Sequence, residues 1–195
     1  ILALFCCVYC CICWGSWANT QKMVSRKNWS FELFYWDLTL GLFLTATLAA
    51  LTLGSMGSTG RTFFQDLAAM DWNSIKYAVL GGVIWNFGNV FLTAAIAVAG
   101  MSVGFPIGGG LGWIGGVIFN YFLILLAGQT YPGNQTLLWI GVVIIIAAIL
   151  LCAKAYGEIS KTKASTPKKG VLRAVMSGIA FMFFYGLVVK SIDPQ

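Results

Sequence analysis

Between Lys76 and Lys154 the chain carries no Asp, Glu, Lys or Arg. A soluble fold has no use for so long an uncharged run. Three membrane spans require one, because each takes about 20 apolar residues to cross ~30 Å of hydrocarbon. Composition agrees: 9% of residues are charged, where soluble domains have about 25%, and mean hydropathy is +0.84. The expected fold class is an all-α integral membrane protein, a polytopic transmembrane helix bundle, in a plasma or inner membrane.

Histidine is absent. That removes His-ligated haem, most zinc chemistry and the Ser-His and Cys-His catalytic arrangements. No acid–base pair or activated nucleophile stands out, so the chain is not read as an enzyme, and no cofactor or metal is expected. The net charge of +6 sits in loops beside spans. There Lys and Arg act as topology signals and contacts to membrane lipid, not as a nucleic-acid surface.

The hydropathy pattern predicts six spans: Ile1–Thr20, Phe31–Leu53, Ser74–Ala99, Ser102–Ala127, Thr136–Tyr156 and Val171–Val189. Thr62 and Gln65 have capping-box spacing and open a short amphipathic helix expected to lie on the membrane. The first span carries Cys6, Cys7, Cys10, Cys11 and Cys13, read as small apolar residues that let helices approach closely. The basic residues Lys22, Arg26, Lys27, Lys154, Lys161, Lys163, Lys168, Lys169 and Arg173 follow spans one, three and five, so the positive-inside rule places the N-terminus outside. The sequon Asn134-Gln135-Thr136 falls outside on this topology, and Asn28-Trp29-Ser30 falls inside.

The sixth span resembles the first: Ala3 aligns with Ala174, and Trp14-Gly15 with Tyr185-Gly186. Five spans would then form one repeat, and a second copy of an odd-numbered unit is inverted in the membrane, as in many secondary transporters. The expected organisation is a five-helix repeat over 1–156, a cytoplasmic linker over 157–170, and the first helix of a second repeat over 171–195. The chain starts at Ile1 inside an apolar run and is expected to be a trimmed product, and the repeat makes it an expected N-terminal piece of a ten-span protein.

The uncharged run is not uniformly apolar. Gly82, Asn86, Asn89 and Thr93 recur at spacings of four, three and four, which puts them on one helical face with Trp85 beside it. Lipid offers an amide no hydrogen-bond partner, so this face must meet another helix or line a cavity. Both readings stand. In the next span Gly104, Gly108, Gly112, Gly116 and Asn120 repeat every four residues. Each step drifts by about 40°, which makes a slanting groove for close helix packing. Pro106 should free the carbonyl of Ser102. Trp14 either marks the headgroup region or faces a solute.

Together these residues make Trp14, Trp85, Asn86, Asn89, Thr93, Ser102 and Asn120 the solute-binding candidates. Gly104, Gly108, Gly112 and Gly116 are the helix-packing candidates. Asp37 and Glu32 are the candidates for proton coupling, against the alternative that both sit at a helix N-terminus near water. A charge-free lining suits a small neutral polar solute, accompanied by protons or another coupling ion. Self-association is left open.

At these residues the chain resembles the drug/metabolite transporter superfamily. Gly81-Gly82-Val83, Gly88-Asn89, Gly100-Met101-Ser102-Val103 and Asn120-Tyr121-Phe122 are similar to ureide permeases. The loop Lys27–Glu32, Gly88-Asn89 and Lys168-Lys169-Gly170-Val171 are similar to rhamnose–proton symporters and related glucose-type sugar porters. The resemblance implies two inverted five-helix repeats, alternating access around a central cavity and proton-coupled import. The expected function is a secondary transporter importing a sugar such as rhamnose or glucose. The alternatives are a ureide or nucleobase permease and a structural or accessory subunit of a membrane complex.

Overall fold

A computed structural model describes residues 2–25, 29–56, 60–160 and 168–192. Arg26, Lys27, Asn28, Lys161 and Lys163 lie outside the described residues. The described residues form helices joined by turns, with no strand: α1 (Leu2–Ser25), α2 (Phe31–Leu51), α3 (Phe63–Ala69), α4 (Trp72–Ala99), α5 (Met101–Gly104), a π-helical segment (Phe105–Gly109), α6 (Gly110–Leu126), α7 (Gln135–Ser160) and α8 (Lys168–Ser191). Among the described residues five helical runs are long and apolar enough to cross a membrane: Phe31–Leu51, Trp72–Ala99, Met101–Leu126, Gln135–Cys152 and Lys168–Ser191; α1, at the first expected span, is helical but not one of the five. The polytopic helix bundle is thus observed.

The chain divides into two compact units, Ile1–Asp66 and Leu67–Gln195. In the first, Ser30 caps α2 by accepting a hydrogen bond from the Leu33 amide at 3.4 Å. The rings of Trp17 and Phe34 stack with centroids 6.5 Å apart. Ala18, Gln21 and Phe34 are its buried residues among those described. The five α1 cysteines and Cys152 are all free and exposed, so within their own units they do not mediate the close helix approach expected of them. Cys7 and Cys10, like Cys10 and Cys13, do have the spacing of a CxxC pair. The Thr62 amide donates to the Gln65 side chain at 3.0 Å, one half of the expected capping box at the start of α3.

In the second unit Asp71 caps α4, its carboxylate accepting from the Ser74 amide at 2.7 Å. Hydrogen bonding from the Ser74 side chain, and next from its amide, holds the Asp71 carboxyl below the usual carboxylate range. Gly100, at φ 84°, makes the tight turn into α5. Only glycine adopts this conformation readily, so two long helices can meet with a single residue between them. Pro106 lies in the π segment, where the ladder changes register: the Gly110 amide reaches back five residues to the Phe105 carbonyl. Asn134 caps α7 through the Leu137 amide at 3.1 Å. Both ends of the expected linker over 157–170 are helical, since α7 runs to Ser160 and α8 starts at Lys168.

Candidate functional site

Helices α4 and α8 run antiparallel in a constant register. A Cβ added to Gly81 would lie 3.2 Å from Val188, and one at Gly88 would lie 2.9 Å from Phe181 and 3.2 Å from Ala180. Gly170 lies against Ala99 at the other end. This register sets Leu92 opposite Ser177, and both are fully buried. Glycine permits it: at such separations any Cβ would force a ring or a backbone to move.

The glycine row of the next span makes a third side. A Cβ on Gly104 would lie 2.8 Å from Ile96 of α4. At Gly108 it would meet both neighbours, with Leu92 of α4 at 3.0 Å, the Ala174 carbonyl of α8 at 3.1 Å and Ser177 Oγ at 3.4 Å. At Gly112 it would meet α8, with Phe181 Cβ at 2.5 Å, and at Gly116 the nearest atom is the Met182 carbonyl at 3.7 Å. The row therefore passes from α4 to α8 at Gly108, as a slanting groove must. Gly178 reciprocates, its missing Cβ 3.0 Å from the Gly108 carbonyl.

Among the described residues, one side-chain oxygen on each of α4 and α8 is buried without a hydrogen-bond partner. Asn89 is 3% exposed, and its Oδ1 has no hydrogen-bond partner. Ser177 is 0% exposed, and its Oγ likewise has none. Each unsatisfied group costs about 1–3 kcal/mol. Thr93, also buried, donates to the carbonyl of Asn89 at 2.8 Å and that of Val90 at 2.9 Å. The crossing itself carries no charge; the nearest charged residue in sequence is Arg173, half-buried one turn before Ser177.

The other sequence candidates spread more widely. The polar face of α4 is divided: Gly82 and Asn86 are exposed and Trp85 is half-buried, while Asn89 and Thr93 are buried. Ser102 and Asn120 are half-buried at opposite ends of one helical run. Roughly 27 Å of helix rise separates them, so one small solute cannot touch both. The Asn120 amide donates to the Gly116 carbonyl at 2.7 Å, and its Oδ1 would lie 3.3 Å from a Cβ on Gly186. Trp14, 36% exposed, belongs to the other unit. There Glu32 and Asp37 are both exposed, and Asp37 accepts a hydrogen bond from Trp29 Nε1 at 3.1 Å. Sequence reasoning passed over Ser177, whose importance comes from its place opposite Leu92 and Gly108.

Over residues 34–172 the sequence matches the family described as ureide permease. The chain belongs to this family. Ureide permease 1 of Arabidopsis thaliana is 31% identical over 134 residues, which cover 67% of this chain and 34% of the relative. Ureide permease 2 of the same plant is 29% identical over 124 residues, covering 62% and 31%. Ureide permease 4 is 25% identical over 183 residues, covering 90% and 44%. The chain thus spans between about a third and under half the length of the ureide permeases it matches. No solved structure matches it. Family membership and five apolar helices make this a multi-pass membrane protein of a permease family, which points to a transporter and away from an enzyme.

Proposed function

We propose that the chain forms part of a secondary transporter that carries a small neutral ureide or nucleobase-like solute across the membrane by alternating access. The observation that carries this reading is Asn89: a buried amide oxygen without a partner, in an uncharged span, within the stretch that matches the ureide permease family. A cyclic ureide alternates N–H and C=O groups, and an orphaned amide oxygen is the acceptor that such an N–H needs. The family match and the relatives favour this ureide alternative over the import of rhamnose or glucose, the first expectation from sequence.

Coupling to protons is assigned to Asp37, whose exposed carboxylate is held by Trp29. The complete protein is proposed to contain two inverted five-helix repeats, with the N-terminus outside. The test is uptake of labelled allantoin, uracil, rhamnose and glucose into proteoliposomes by the wild type and by Asn89→Ala. Uptake of allantoin or uracil that the substitution abolishes supports the reading. Uptake of the sugars alone, or ureide uptake that survives Asn89→Ala, rejects it.

A further inference from the structure

We propose that Ser177 of α8 is a solute-contacting residue, its hydroxyl donating to a ring carbonyl of the ureide while Asn89 Oδ1 accepts from an adjacent ring N–H. The assignment rests on the ureide-transport reading and adds to it a residue outside the stretch that matches the family.

The first observation is a choice not taken. A hydroxyl in a helix can always donate to a carbonyl three or four residues back. Thr39, Thr45, Thr47, Thr93 and Ser191 all do so, at 2.6 to 2.9 Å. Ser177 does not, although it is fully buried and its Oγ has no other partner.

The second observation is what covers it. Ser177 Oγ lies 3.4 Å from the position of the Cβ that Gly108 lacks. Gly108 belongs to the π segment, the one described helical stretch whose hydrogen-bond ladder leaves α register. Such segments concentrate at functional sites. On the side of Gly108 the cover over Ser177 is therefore backbone without a side chain, in the least regular part of its helix. Withdrawal of this segment from α8 would uncover the hydroxyl.

The third observation is position. In the α4–α8 register Ser177 faces Leu92, and Asn89 lies less than one helical turn further along α4. A hydroxyl that can donate and an amide oxygen that can accept, at neighbouring levels of one seam, complement the N–H and C=O groups of a cyclic ureide.

The experiment measures concentration-dependent uptake of labelled allantoin and uracil into proteoliposomes by wild type, Ser177→Ala and Ser177→Cys. It also measures inhibition by 2,4-dithiouracil, whose thiocarbonyls are weak acceptors. Loss of one neutral hydrogen bond should raise KM about tenfold in Ser177→Ala, with an intermediate rise in Ser177→Cys. The preference for uracil over its dithio analogue should shrink in Ser177→Ala, which a packing role would not produce. The melting temperature of Ser177→Ala should stay level or rise, because an orphaned hydroxyl is removed. If the wild type takes up neither compound, the transport reading fails and this assignment with it. If it does, and KM and the preference are unchanged in both variants, this assignment alone fails.

Discussion

The α1–α2 pair and the α4–α8 pair are both built from long apolar helices that carry glycine, but their glycines do different things. In the first pair Gly15 and Gly41 have nothing within 4 Å of where a Cβ would stand, and the buried residues among those described are Ala18, Gln21 and Phe34. In the second, Gly81, Gly88 and Gly170 each bring the two helices into contact, and Gly108 and Gly112 bring in a third helical run. Lipid is as apolar as leucine, so apolar surface alone does not join helices in a membrane. Close packing does, and it needs small residues on a face that has a matching partner. A glycine without a partner is an unused seam.

The largest effect that tests this contrast is expected at Gly112. Gly112→Val would drive a branched side chain into Phe181 Cβ, which cannot swing away. Overpacking of that kind should cost about 3 kcal/mol or more, read as loss of monodisperse protein in size-exclusion chromatography. Recovery of normal protein would break the idea that the seam is tightly packed. Next comes Asn89→Ala, which should cut ureide uptake by at least about tenfold while leaving the melting temperature level or higher.

In the looser pair Asp37→Asn keeps an oxygen to accept from Trp29 but removes the charge. The fold should be unaffected and the pH dependence of uptake should flatten; an unaltered pH profile removes Asp37 from proton coupling. A smaller difference is expected between the two helix starts. Asp71 has a depressed carboxyl pKa in the fold, so its capping is fully present above the unfolded carboxylate pKa and is lost as pH falls through the lower folded value. Ser30 has no charge to lose. Amide exchange at Ser74 should therefore quicken in strong acid relative to that at Leu33. Equal acceleration at both would show that the caps do not differ. The smallest effect belongs to Gly41→Ala, which meets no atom and should change stability by at most about 1 kcal/mol, upward. A marked loss in a thermal melt would reveal that this face has a partner.

The elements were legible because their signals are local. The uncharged run, the Thr62–Gln65 spacing and the turn at Gly100 all depend on neighbours in sequence, and the observed helix ends fall close to the predicted ones. The site was only half legible. Asn89 announced itself as an amide in an uncharged span. Asn86 did so equally, yet it is exposed, because periodicity assigns a face and cannot say how far along it the neighbouring helices extend. Ser177 gave no signal, since a serine in a helix is ordinary until its hydroxyl is seen to leave its own carbonyls unused. Pro106 was legible as a break in the ladder, with a freed carbonyl at Ser102 as its expected effect; the widened turn from Phe105 to Gly109 that accompanies it was not.

That widened turn bears on how chain lengths should be compared among relatives. A π turn holds one more residue than an α turn. The stretch from Phe105 to Gly109 is thus where the described helices carry slack. A relative shorter by one residue there would close the turn to ordinary α geometry and still present the same glycines to the same neighbours on either side. An insertion or deletion anywhere else in the run from Met101 to Leu126 would rotate everything beyond it by about 100° and turn Gly112 and Gly116 away from α8.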